Sequence, residues 1–531
     1  MAARGRICVI GAGFSGLTAI KNCRDEDLDV ICFEAQDEVG GLWRYREETE
    51  EGYGSVMPFT ISNTSKEMSS ASDFIIPEHL PNYMHNKELY GVIKEYAKKF
   101  GLYEYIRFKH RVEKVVKASD YESTGRWEVE VKDLQSGEVI KDIFGAVLVC
   151  AGHHTTPLWP EFQDQELFHG KILHSHGYRI EEGFKNKRVA IVGAGNSAMD
   201  IAVELTRSTK QVYLSTRRGF WLTPRVGPWG IPFDLLFLTR FFNLIFNLLP
   251  WNFVNSLFET YINFHVNHKA YGIKPSHRYI AQHPTLIDSL PSYILSGIIR
   301  IKGNIERFTQ NGVIFQNETD ETPLDAVVFC TGYRMAYPFI EDIKFPDNKV
   351  ELYKFIFPPG FQHPTLAFMG LFQIVGAGFP SFDMQGRWVA KILNGKLGLP
   401  PKSEMVKDIQ NSLQESRNIF GSSPNHTVHV YYLNYMDDLA ERIGCKPNLL
   451  RMLFRDPKLF MYCFFGPCLA YQYRLEGPDS WEGARDAIMK YKKRLHTPLK
   501  STRMVQNEKK TKYFSFKLIF IGFIILFWMY I

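Results

Sequence analysis

Residues 6–16 read RICVIGAGFSG and residues 187–198 read KRVAIVGAGNSA. Each is a short apolar run suited to a buried strand, followed at once by a glycine-rich turn and a helix-forming segment. In the first, Gly11-x-Gly13-x-x-Gly16 meets three requirements of a phosphate-cradling turn. Gly11 permits the tight bend and Gly13 lets the backbone approach a pyrophosphate. Gly16 lets the next helix lie close on the strand, its N-terminus facing the phosphate charge. The helix is predicted to run to about Arg24, and residues 29–34, DVICFE, form the next strand. Glu34 ends that strand, where a carboxylate can accept hydrogen bonds from ribose hydroxyls. Gly40-Gly41-Leu42-Trp43 follows, as expected of FAD enzymes that bind two dinucleotides.

The second copy is Gly193-x-Gly195-x-x-Ala198, with alanine in a place that tolerates it. Asn196 and Ser197 open its helix and count among the expected cofactor-binding residues. The following strand, QVYLSTRR at 211–218, ends on Thr216-Arg217-Arg218 rather than on an acid. An acid there would select NAD, whereas arginine accommodates the 2′-phosphate of NADP. Arg217 is the expected contact, with Arg218 close behind. Two such units predict an α/β protein with two Rossmann-like dinucleotide-binding domains, FAD on the first and NADPH on the second.

Between them, 108–118, 126–133 and 146–152 alternate or run apolar and read as strands. Residues 325–333, DAVVFCTGY, read as another buried strand, so the NADP domain is inserted into the FAD domain. The expected division is 1–157 FAD domain, 158–218 NADP domain, 219–295 a helical insert, 296–330 NADP domain again, 331–445 FAD domain again and 446–512 a C-terminal region. The insert carries FDLLFLTRFFNLIFNLLPWNF at 233–253, apolar and aromatic but broken by Arg240 and Pro250. It reads as a buried helical element, with a membrane-contacting or substrate-tunnel element as the alternative. Residues 513–531, YFSFKLIFIGFIILFWMYI, have one charge, Lys517, and follow Lys509, Lys510 and Lys512. A run of about 20 apolar residues spans a bilayer, and flanking positive charge favours the cytoplasmic side. A C-terminal anchor is therefore expected, with the body facing the cytosol.

Composition excludes several classes. At 45% hydrophobic and 23% charged the chain is globular, not disordered. A net charge of +6, with no Lys/Arg stripe interleaved with aromatics, argues against nucleic acid. Eight cysteines over 531 residues, with no CxxC and no zinc spacing, read as reduced thiols and predict no metal site. Cys463 and Cys468 lie far from either fingerprint and read as structural, so a disulfide reductase is disfavoured and oxygen is the expected electron acceptor. Arg4, Arg6 and the apolar run after them mimic a signal peptide, but the glycines have the better explanation above.

Further segments carry a family resemblance. Phe168-x-Gly170-x-x-x-His174-x-x-x-Tyr178-Arg179 resembles the signature of the microsomal flavin-containing monooxygenases, whereas Baeyer–Villiger enzymes carry a related signature ending in Trp-Pro or Trp-Asp. Asn63-Thr64-Ser65-Lys66-Glu67-Met68, Cys330-Thr331-Gly332-Tyr333, Gly370-Leu371-Phe372-Gln373, FFGPC at 464–468 and WEGARDAI at 481–488 resemble other segments of that family, as does the apolar tail. The resemblance implies that Asn63 is catalytic, touching the reactive flavin edge and bound NADP, and that Gln373 lies near the cofactor. It makes His174 a linker residue between nucleotide domains. It also implies oxygenation of soft sulfur and nitrogen atoms of lipophilic small molecules through a C4a-hydroperoxyflavin, on the endoplasmic reticulum membrane. Baeyer–Villiger oxygenation of ketones and uncoupled NADPH oxidation to H2O2 are the alternatives, and a homo-oligomer is left open. The Asn-x-Ser/Thr sequons at Asn63, Asn317 and Asn425 are expected to stay unmodified on a cytosolic body. One segment departs from the family: where many mammalian members read approximately GRASIYKSV, this chain has Gly52-Tyr53-Gly54-Ser55-Val56-Met57-Pro58-Phe59-Thr60. Met57 and Pro58 replace a Tyr and a Lys close to Asn63. That change bears on substrate access and on how tightly NADPH use is coupled to oxygen transfer.

Overall fold

Parallel strands sandwiched between helices are buried on both faces and so read as unbroken apolar runs. Ile7–Ile10, Ala146–Val149 and Ala326–Phe329 behave this way, with every residue buried. The computed structural model describes residues 5–420 and 428–499. Its first sheet runs in the order Leu366–Phe368, Ala146–Val149, Ile7–Ile10, Val30–Glu34, Ile106–Phe108, all parallel. The second runs Ile299–Lys302, Gln211–Ser215, Arg188–Val192, Ala326–Phe329, Lys171–His174, also all parallel. The first sheet thus recruits a strand at 366–368 after the chain has completed the second, which is how one nucleotide fold interrupts another.

After that return, the Gly378–Leu393 helix packs along Phe14–Asp25. Phe14 stacks on Phe379 at 3.9 Å between ring centroids, and Asn22 Nδ2 donates to Asp383 at 3.2 Å. The opposite face of the first sheet is covered by an antiparallel sheet of His110–Lys117, Trp127–Asp133 and Val139–Phe144. Sequence reading missed Val139–Phe144. It is an edge strand with only Phe144 buried, so it lacks the alternation that marks a half-buried strand.

The C-terminal region is fastened to the first domain by buried ion pairs. Arg494 Nη2 meets Glu67 Oε2 at 2.6 Å and Arg474 Nη2 meets Asp73 Oδ2 at 3.1 Å, while within the first domain Lys391 pairs with Glu26. Such pairs form because a buried charge left alone is far more costly than a paired one.

The insert is buried on one side, through Leu235, Phe237, Phe242, Val254 and Ile262, and open on the other. Arg240–Leu248 and Trp251–His265 are helices, but Leu248 and Phe264 are 70% and 89% exposed, and Leu244 and Trp251 are exposed beside them. These helices are apolar around much of their circumference, and the core covers only one side of each. The insert also contains a short parallel pair, Leu222–Thr223 with Thr285–Leu286. No helix among the described residues is long and apolar enough to cross a membrane, and the expected anchor at 513–531 lies outside the described residues, as does Asn425.

Candidate active site

The strand Ile7–Ile10 runs out at Gly11, which has φ +96°. A Cβ on Gly11 would lie 2.9 Å from the Cys150 carbonyl oxygen, and one on Gly16 would lie 1.9 Å from the Gly11 oxygen. Gly13 precedes the Phe14–Asp25 helix and faces Gly41, where a Cβ would lie 3.0 Å from the Gly13 Cα. Two glycine turns therefore face each other with bare backbone between them. Glu34 is buried at the end of the second strand: Oε2 accepts from the Ala12 amide at 2.6 Å and Oε1 from the Gln36 amide at 2.8 Å. Burial pushes its carboxyl above the usual range, opposed by those two amides.

These residues line a cavity of about 630 Å3. Gly11, Gly13, Glu34 and the whole Gly40–Trp43 turn contribute one side, while Cys150–Thr156, Gly370 and Phe382 contribute another. Gly16 packs beneath the turn. The volume suits an organic cofactor. The cradle suits a dinucleotide, because backbone amides at a helix N-terminus lie exposed where any side chain would fill the space.

His153 and His154 line the same cavity and were not singled out from the sequence. The only available signal was their place just after the AVLVCAG strand. His153 Nδ1 lies 3.1 Å from the Gly370 oxygen, so in the neutral ring Nδ1 carries the proton and donates. Burial lowers its pKa to about 4 and that of His154 well below the ordinary value, so both are neutral at pH 7.

The second cradle repeats the geometry. Gly193 has φ +129°, and a Cβ there would lie 2.3 Å from the Cys330 oxygen. Gly195 precedes the Asn196–Leu205 helix and has open space where its side chain would be. The insert buttresses this turn: Asn196 Oδ1 accepts from the Leu286 amide at 2.9 Å, and Thr285 Oγ1 donates to the Ala194 oxygen at 2.9 Å. Ser197 follows Asn196 in the first turn of the helix. Thr216 Oγ1 accepts from the Gly219 amide at 3.1 Å and shapes the bend after the strand. Arg217 and Arg218 lie exposed on that bend, with no carboxylate paired to either among the described residues.

Asn63 and Gln373 are not among the residues lining the 630 Å3 cavity. Asn63 is half-buried, and its Oδ1 accepts from Arg225 Nη2 at 2.9 Å. Gln373 begins a short strand paired with His429–Tyr431. The Phe168–Arg179 stretch contains Lys171–His174, the edge strand of the second sheet. Gly170 sits against the Phe168 ring, and Tyr178 is buried. Arg179 Nη2 donates to Ser55 Oγ and to the His176 oxygen, both at 3.0 Å. His174 is buried, its Nδ1 accepts from the His176 amide at 3.1 Å, and burial lowers its pKa to about 4. Met57, from the segment that departs from the family, packs into the core of the second nucleotide fold together with Tyr178. The eight cysteines are free thiols, seven of them buried, and Cys468 Sγ lies 3.5 Å from the Tyr473 hydroxyl.

Two dinucleotide cradles on one chain, the first with an acid at its ribose end and the second with exposed arginines, define a pyridine-nucleotide-dependent flavoprotein. The model of the flavin-binding monooxygenase-like family matches residues 4–531, and the chain belongs to that family. It is 44% identical to human flavin-containing monooxygenase 5 over 504 residues, 94% of each chain. It is 43% identical to rat dimethylaniline monooxygenase [N-oxide-forming] 2 over 505 residues, again 94% of each. Among solved structures it resembles S-allyl-L-cysteine S-oxygenase from Allium sativum (TM-score 0.64, 22% identity, 92% of this chain and 98% of that one). It also resembles an NADP+-bound cyclohexanone monooxygenase from Rhodococcus sp. Phi1 (TM-score 0.60, 18% identity, 83% and 98%). The chain is an FAD- and NADPH-dependent monooxygenase that uses O2 and small-molecule substrates.

Proposed function

We propose that this monooxygenase oxygenates soft sulfur and nitrogen atoms of lipophilic small molecules, and that it does so at the endoplasmic reticulum membrane with its catalytic body in the cytosol. The observation that carries the chemistry is the pairing of two nucleotide cradles on a chain whose eight cysteines are all free thiols, seven of them buried, leaving no disulfide-forming pair to take the electrons. Bound FAD supplies reduction by NADPH and activation of O2. The protein's share is position, hydrogen bonding and exclusion of water. Gly11 and Gly13 would hold the flavin pyrophosphate at a helix N-terminus, which Gly16 lets pack beneath the turn, and Glu34 would accept from the ribose. Gly40–Trp43 walls the cavity. Gly193, Gly195, Asn196 and Ser197 would hold the second pyrophosphate, and Thr216, Arg217 and Arg218 would receive the 2′-phosphate. The family resemblance, rather than the cavity lining, supports Asn63 and Gln373 at the reacting region, where the Asn63 carboxamide would orient the bound nucleotide.

The substrate class is supported by the names of two similar proteins, one forming N-oxides and one oxygenating a thioether sulfur. The membrane reading is supported by the 513–531 run and by the exposed apolar residues Leu244, Leu248, Trp251 and Phe264 on the insert. Turnover of a thioether, a tertiary amine and a ketone, with product identification, tests the first part. Sulfoxide and N-oxide are expected, and an ester or lactone formed in preference to both overturns the substrate class. Deleting 513–531 tests the second part: retention on microsomes should fall, and unchanged retention overturns the anchor.

A further inference from the structure

We infer that the insert fixes the catalytic loop from outside, with Arg225 setting the orientation of the Asn63 carboxamide and Asp234 holding the backbone two residues on. The inference rests on the reading of Asn63 given above. Two contacts from one segment fall on Asn63 and Ser65, two positions apart. Arg225 Nη2 donates to Asn63 Oδ1 at 2.9 Å, and Asp234 Oδ2 accepts from the Ser65 amide at 2.6 Å. Arg225 and Asp234 are themselves locked into one unit. The Phe233 amide donates to the Arg225 oxygen at 2.9 Å, the Gly227 amide donates to the Ile231 oxygen at 2.8 Å, and Val226 bridges Pro232 between them. The Arg225 amide donates to Asp288 Oδ1 at 3.1 Å, which ties the unit to the far arm of the insert.

The chemistry of the pair decides which way the carboxamide points. A guanidinium offers donors only, so the Asn63 atom facing it must be the oxygen. The amide group is thereby turned the other way, as the donor the loop presents. Without Arg225 the carboxamide can flip and exchange donor for acceptor. The guanidinium also lies 3.9 Å from Asp200 Oδ1, and Asp200 stands on the helix that begins at Asn196. Tyr83, from the first domain, donates its hydroxyl proton to the Arg225 oxygen. Arg225 therefore touches the Asn63 loop, the insert and the second nucleotide fold at once. It is a positioning residue, acting through Asn63.

Hydrogen exchange and coupling, both measured on the full chain, test this. In Asp234→Ala the Ser65 amide should exchange about ten-fold faster or more, because it loses a charge-assisted bond. Asp234→Asn keeps an acceptor and should restore protection. Arg225→Met should release severalfold more H2O2 per NADPH oxidised, with partial rescue in Arg225→Lys. In an Asn63→Ser background, Arg225→Met should add nothing, since its effect runs through that side chain. Unchanged Ser65 exchange in Asp234→Ala, or additive uncoupling in the double variant, overturns the inference. If Asn63→Ser leaves coupling intact, the role given to Asn63 fails instead, and the exchange result stands apart from it.

Discussion

A methyl group on Gly16 would sit 1.9 Å from the carbonyl oxygen of Gly11, so the first helix and the turn that precedes it are in backbone contact. That contact sets how near the helix N-terminus comes to the cavity. Gly16→Ala must push the helix away from the strand. Overpacking of this kind costs about 1–3 kcal/mol. It also moves the amides that face the pyrophosphate. The purified variant should therefore lose most of its bound flavin, read as the ratio of 450 nm to 280 nm absorbance.

Arg217 and Arg218 should set the preference for NADPH. Each charge-assisted bond to a phosphate contributes about 1.5–3 kcal/mol. Replacing Arg217 alone with alanine should raise KM for NADPH by about 10- to 100-fold and leave KM for NADH nearly unchanged. Stopped-flow flavin reduction with either nucleotide measures it. Equal losses with both would place the 2′-phosphate elsewhere.

The Glu67–Arg494 pair should act as a staple between the short Lys66–Ser69 helix and the Ala484–His496 helix. Removing one member leaves the other charge buried, at about 3–5 kcal/mol. Arg494→Met should lower Tm markedly. A joint replacement of both members by apolar residues should recover much of that loss. Differential scanning fluorimetry of the singles and the double separates the two cases.

Burial pushes the Asp234 carboxyl up to about 6, against the pull of the Ser65 amide. A carboxyl whose folded pKa is raised contributes stability that is complete below its unfolded value, about 3.9, and is lost as pH rises through about 6. At pH 8 the wild type carries a buried ionised group that Asp234→Asn does not. The variant should therefore melt higher than wild type at pH 8, and the difference should vanish or reverse near pH 4. A constant difference between the two melting curves across that range would contradict the assignment.

Both nucleotide folds were legible in the sequence because parallel strands bury both faces and their turns demand glycine. Gly11, Gly193 and Glu34 lie at the strand ends where local pattern puts them. Asn63 and Arg225 lie 162 positions apart, and no periodicity connects them. Arg494 and Glu67 are 427 apart. The insert was legible only in part: its aromatic composition resembles a core, and Leu235, Phe237 and Phe242 are buried, yet Leu248 and Phe264 face outward. Composition reports what a segment could bury, and burial itself depends on what packs against it.

The most direct test of the central claim is the stoichiometry of full-length, detergent-purified enzyme given NADPH, O2 and a thioether, with sulfoxide, H2O2 and NADPH consumption followed together. The account predicts close to one sulfoxide per NADPH and little peroxide. NADPH consumption that yields H2O2 with only traces of sulfoxide would contradict it.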